Sequence, residues 1–91
     1  MLDSMKFIFS KHAEEQMLRR GLDKDQVLTV IQNPDEIIAD DSEEVVIFQS
    51  VIKENEQLFL LRVFINRSKQ PKRIVTLYKT TKIKKYYEGK I

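Results

Sequence analysis

The sequence predicts a small α+β domain in which two N-terminal helices pack on a curved antiparallel sheet of three to four meandering strands. Apolar residues recur at helical spacing as far as Pro34, and beyond it β-branched and aromatic residues gather in alternating runs. Short polar segments join those runs, as a meander requires. A chain of 91 residues can bury one modest core, so residues 1–91 are read as a single compact domain with a basic C-terminal arm from about residue 80.

Lys6 to Phe9 is a short β-prone run ending at Ser10, a good N-cap. A helix follows from Lys11 to about Arg20. Glu14 and Glu15 in its first half and Arg19 and Arg20 near its end complement the macrodipole, and Gly21 supplies the stop. Asp23 opens a second helix; Gln26 completes a capping-box spacing, Val27, Val30 and Ile31 form the apolar face, and Asn33-Pro34 ends it. Glu36 to Ala39 is then a short edge strand, residues 40 to 43 an acidic turn, and Glu44 to Ile52 a longer strand. Lys53 to Glu56 makes the hairpin connection to Gln57–Asn66, the most apolar strand. A polar loop, Arg67 to Lys72, contains Pro71, and Arg73 to Lys79 returns as the last strand. Thr80 or Thr81 caps a short terminal helix, or starts an extended arm, through Tyr87, and Gly89 predicts fraying.

Composition narrows the chemistry. At 42% hydrophobic and 33% charged, with two glycines and two prolines, the chain reads as soluble and globular. The absence of cysteine excludes disulfides, zinc–thiolate sites and cysteine nucleophiles, and a single histidine excludes a histidine-rich metal site within one subunit. No metal and no cofactor are therefore expected. Neither a signal peptide nor a membrane span is evident, which makes a cytoplasmic location the expectation. The formal charge of +2 conceals a segregation: residues 1 to 65 sum to −6 and residues 66 to 91 to +8. Such a cationic pole attracts phosphate backbones by counterion release, although Lys-rich termini are also ordinary solvated surfaces.

His12, the only histidine, falls in the opening turn of the first helix. At about 100° per residue, Gln16 and Arg19 lie within about 40° of it, with Arg20 farther round. This stripe can present an imidazole and a guanidinium to one phosphate, the first to move a proton and the second to neutralise charge. The plainer reading is a half-exposed histidine beside surface arginines. In the strands, alternation puts Phe59, Leu61, Val63 and Ile65 under the helices and Leu58, Leu60, Arg62 and Phe64 on the opposite face. Ile74, Thr76 and Tyr78 alternate with Val75, Leu77 and Lys79, so Thr76 and Tyr78 lie beside Arg62 if the register cooperates. Such a patch suits a phosphate, or is simply a β-favoured threonine, an amphipathic tyrosine and a snorkelling arginine. Two helices cover only one face of a sheet, so the apolar residues of the other predict a partner chain or a homodimer. The tail mixes Lys79, Lys82, Lys84 and Lys85 with Tyr86 and Tyr87, a combination suited to backbone phosphates and unpaired bases.

The run from Phe9 to Leu22, with Val27, Val30, Ile31, Asn33-Pro34-Asp35-Glu36-Ile37-Ile38 and the closing Ile74-Val75-Thr76-Leu77-Tyr78, resembles the domain of unknown function 4258 family of small bacterial proteins. The family's histidine-alanine and arginine-glycine positions correspond to His12-Ala13 and Arg20-Gly21, and its closing threonine and tyrosine to Thr76 and Tyr78. Members often carry arginine where this chain has Gln16, with Arg19 one turn on as the substitute. The family is grouped by resemblance with the barnase, EndoU, colicin and RelE-like ribonuclease toxins. That resemblance implies a RelE-like or barnase-like fold and metal-independent RNA cleavage, in which a 2′-hydroxyl attacks the adjacent phosphorus. It implies catalytic roles for His12 as base or acid, Arg20 in charge stabilisation, and Thr76 and Tyr78 in positioning the phosphate. Arg19, Arg62, Lys79, Lys82, Lys84, Lys85 and Tyr86 are the expected RNA-binding residues. An antitoxin-like partner covering the sheet or the basic arm is the further implication, and a non-catalytic RNA-binding or protein-interaction module is the alternative.

Overall fold

The computed structural model describes residues 7–39 and 44–89; the expected acidic turn at 40 to 43 lies outside them. The elements run β1 (Phe7–Phe9), α1 (Lys11–Arg20), α2 (Lys24–Gln32), β2 (Glu36–Ala39), β3 (Val45–Glu54), β4 (Gln57–Asn66), β5 (Lys72–Thr80) and α3 (Ile83–Tyr86). The α+β class is as expected, but the sheet has five strands, in the order β1-β5-β4-β3-β2. β2 to β5 form the antiparallel meander, and β1 adds a parallel pair against β5, so the sheet is mixed. β1 was legible as a strand but its place was not: it is three residues long, and its partners Lys72 to Ile74 lie at the far end of the chain.

The helix boundaries follow from their caps. Ser10 Oγ accepts from the Ala13 amide at 3.0 Å and donates to the Val75 carbonyl at 3.0 Å, so one side chain both starts α1 and ties it to β5. Gly21, at φ 67°, ends α1 in the left-handed conformation. Asp23 and Gln26 form the reciprocal capping box of α2. One stripe of each helix is buried, Ala13 and Met17 on α1 and Val27, Val30 and Ile31 on α2. They close with Leu22 on Leu61, Val63, Ile65, Ile74 and Leu77 of the sheet. Removing this apolar surface from water at about 25 cal/mol per Å² is the main force holding the helices to the sheet.

Two local features depart from the pattern expected of the strands. The β3–β4 turn is the pair Asn55-Glu56, with φ 50° and 65°, so β3 runs on to Glu54 instead of stopping at Ile52. In β5 a bulge breaks strict alternation: Phe64 faces Thr76 while Ile65 faces Ile74, leaving Val75 extra. Ile74 and Leu77 therefore both reach the core, although alternation assigned them to opposite faces.

The face of the sheet away from α1 and α2 is partly closed by the chain itself. β5 leads into α3, the short terminal helix that was one of the two expectations here though without a side-chain cap, and residues 83–89 fold back across this face as a strap, with Gly89 bonded to Glu36 where fraying was expected. Leu60, on this face, is fully buried.

Candidate functional site

The proposed site residues fall into two groups. The first stands on α1, where Gln16 Nε2 donates to His12 Nε2 at 3.4 Å and Arg20 Nε donates to Gln16 Oε1 at 3.3 Å. Helical side chains lean toward the N-terminus, so each residue reaches back to the one four places earlier. That makes Arg20 the partner bonded into the stripe, whereas angular position favoured Arg19; Arg19 is exposed. Gln16 is the neutral spacer between imidazole and guanidinium. Because an amide nitrogen can only donate, His12 Nε2 accepts, and the ring proton of a neutral His12 sits on Nδ1.

The second group lies on the other face of the sheet. Four strands contribute one residue each at a common level: Glu36 faces Gln49, Gln49 faces Arg62 and Arg62 faces Tyr78. Their side chains bond in sequence. Gln49 Nε2 donates to Glu36 Oε1 at 2.7 Å, Arg62 Nε to Gln49 Oε1 at 2.8 Å, and an Arg62 terminal nitrogen to Tyr78 Oη at 2.7 Å. Gln49 is fully buried and Arg62 is 8% exposed. The Arg62 guanidinium lies 5.4 Å from the Phe64 ring, 5.8 Å from Tyr78 and 4.4 Å from Tyr86. Phe64 and Tyr78 stack at 5.9 Å, and Thr76 sits opposite Phe64. The expected neighbourhood of Arg62, Thr76 and Tyr78 is thus observed. These hydrogen bonds run within each group, so His12 and Arg20 are joined to each other and Tyr78 to Arg62, not all four in one constellation.

The cationic tail is dispersed by folding. Lys79 pairs opposite Leu61 on the helical face, where its Nζ meets Glu54 at 2.6 Å and lies 4.8 Å from the Phe59 ring. Hydrogen bonds from Lys79 and from Gln26 hold the Glu54 carboxyl below its ordinary value. Lys82, Lys84 and Lys85 are exposed, and Tyr86 is half-buried over Arg62. Burial, with the negative charges of Asp35 and Glu36, raises the Tyr87 phenol. Glu36, Gln49 and Phe64 were not singled out from sequence. The available signal was Gln49 itself, an amide between Phe48 and Ser50 in an otherwise β-branched and aromatic strand.

An acidic groove of about 430 Å³ lies between α2 and β3, with Asp23, Asp25 and Asp35 among its walls, and a hollow of about 410 Å³ lies where Ile83 and Tyr87 meet Leu58. Among the described residues no group of three or more His, Cys, Asp or Glu is placed to hold a metal ion, and no helix is long and apolar enough to cross a membrane.

Two helices on one face of a mixed five-stranded sheet, with a histidine–arginine stripe on the first helix and a polar rung across the other face, define a small α+β domain. The chain belongs to the family described as Domain of unknown function (DUF4258), whose model matches residues 9–79. The match spans α1, Arg62, Thr76 and Tyr78 and ends before the strap. Neither a curated protein nor a solved structure matches the chain.

Proposed function

We propose that this protein is a toxin-like, metal-independent endoribonuclease whose reacting groups are His12 and Arg20. The observation that carries this reading is the bonded stripe His12–Gln16–Arg20, which keeps an accepting imidazole nitrogen and a guanidinium in solvent on either side of one amide. A ribose 2′-hydroxyl replaces the Gln16 amide as donor to His12 Nε2 and gives up its proton there. The 2′-oxygen then forms a bond to the adjacent phosphorus while the bond from phosphorus to the 5′-oxygen breaks and that oxygen takes a proton from water; a 2′,3′-cyclic phosphate and a 5′-hydroxyl result, and His12 passes its proton back to solvent. Arg20 binds the non-bridging oxygens, where negative charge grows in the transition state. Thr76 and Tyr78, on the second face, take no part in these steps. Incubating the purified chain with total RNA in the presence of a chelator tests the reading. Cleavage is expected, with His12→Ala and Arg20→Ala each slowing it by about 100-fold or more. Equal cleavage by parent and His12→Ala, or none by the folded parent, would overturn it.

A second reading is a non-catalytic RNA-binding or protein-interaction module of a toxin–antitoxin-like pair. It is favoured by the engagement of Arg62, Tyr78 and Tyr86 in contacts within the fold. Salt-dependent RNA binding without strand cleavage marks it, and an antitoxin-like partner or homodimer would appear as a complex in sedimentation.

A further inference from the structure

We propose that the strap, α3 with residues 87–89, covers a phosphodiester-binding site on the second face of the sheet. The site is centred on Arg62, and single-stranded nucleic acid enters it when the strap lifts. Arg62 is the first reason. A guanidinium buried to 8% exposure ordinarily sits against a carboxylate, because desolvating a charge is costly unless an opposite charge compensates. Among the described residues, Arg62 instead donates to an amide oxygen and a phenol, and the nearest carboxylate of the rung, Glu36, stands one residue farther along behind Gln49. Among the described residues, the cation is surrounded by these neutral acceptors and three aromatic rings.

The strap is the second reason, because its polar contacts with the rung can be removed one at a time, beside an edge contact of the Tyr86 ring on Tyr78. The Tyr86 ring lies over the guanidinium at 4.4 Å, and the Tyr86 carbonyl accepts from Gln49 Nε2 at 3.2 Å. The Glu36 carboxylate then receives the backbone amides of Glu88, at 3.0 Å, and Gly89. α3 itself is four residues long with no side-chain cap, so it keeps its shape only while docked. The strap also lies outside the residues that match the family model, whereas the face it covers lies within them.

What lies beneath fits one ligand class. Phe64 and Tyr78 already stack, with the Arg62 guanidinium beside both and the Thr76 position next to them. With Tyr86 lifted, a base takes the place of its ring and the adjoining phosphate takes the free side of the guanidinium. Lys84 and Lys85, exposed on the strap, then flank the backbone. This site is separate from the His12 stripe, so binding here and cleavage there fail or succeed independently.

The test uses the full chain and fluorescence anisotropy with short labelled single-stranded RNA and DNA of one sequence. Tyr86→Ala and Glu36→Gln are expected to speed hydrogen exchange at the Glu88 and Gly89 amides and to tighten binding by about tenfold, the contribution of a stacking position. Arg62→Gln in the Tyr86→Ala background returns affinity to the parental level, and Tyr78→Phe, which keeps the ring, gives part of that loss if the double variant does not fold. Equal gains on RNA and DNA assign the recognition to the shared phosphodiester, and a gain confined to RNA adds the 2′-hydroxyl to it. An opened strap with no tighter binding, or a gain that survives both Arg62→Gln and Tyr78→Phe, overturns the proposal.

Discussion

Lys79 shows how folding reassigns a residue. In the sequence it begins a basic tail, but in the fold it shares a face of β5 with Leu77, and its ammonium crosses to Glu54 on the helical side. Glu54 also takes a hydrogen bond of 2.7 Å from Gln26, so β3, β5 and α2 meet at one carboxylate. Because that carboxyl is held below its ordinary value, its contribution to stability is present above the unfolded value and is lost as pH falls through the folded one. Lys79→Met should therefore lower Tm near neutrality, and the gap from the parent should narrow in acid; a gap independent of pH would remove Glu54 from the explanation. The caps were legible at this scale, since Ser10, Gly21, Asp23 and Gln26 act through neighbours a few positions away. The partner of Lys79 was not, because Glu54 stands on β3, across β4 from β5, and no local pattern pairs two side chains on strands that are not neighbours.

At the scale of elements, the β3–β4 hairpin carries a conformational cost that can be measured. Asn55 and Glu56 both lie in the left-handed region, which asparagine tolerates and glutamate does not favour. Glu56→Gly should stabilise the protein by ~0.5–1 kcal/mol, seen as a higher urea midpoint at unchanged slope. The converse holds at the end of α1. Gly21 has φ 67° and open space within 4 Å where a Cβ would stand, so Gly21→Ala meets no clash and its loss of ~1 kcal/mol is purely a backbone term. Element types and most boundaries were readable from periodicity and turn residues, β4 to the residue. The parallel β1–β5 pair was not, because strand pairing depends on a contact between the two ends of the domain that no local pattern encodes.

For the molecule as a whole, the segregated charge survives folding in reduced form. Lys79 is taken up internally, whereas Lys82, Lys84 and Lys85 stay in solvent on the strap. RNA affinity should therefore fall steeply with salt, and replacing Lys84 and Lys85 together by glutamine should reduce the log–log slope by about 1.4, the share of two phosphate contacts on a single strand. An unchanged slope would place the RNA elsewhere on the surface. The second face, for which the sequence predicts a partner, carries the chain's own C-terminal segment over Arg62 and Glu36. Sequence periodicity exposes which residues share a face, but not what finally lies on it.

The rung of Glu36, Gln49, Arg62 and Tyr78 also bears on how the sheet finds its alignment. Its hydrogen bonds close only when β2, β3, β4 and β5 stand at one mutual offset. A slip of a single residue between any two of these strands would turn a member of the rung to the wrong side. The guanidinium would then be left among aliphatic neighbours without acceptors, a costly mistake in a dry interior. Burying Arg62 should therefore penalise sheets in which β4 pairs out of register, in a chain whose apolar strands carry few other marks of alignment.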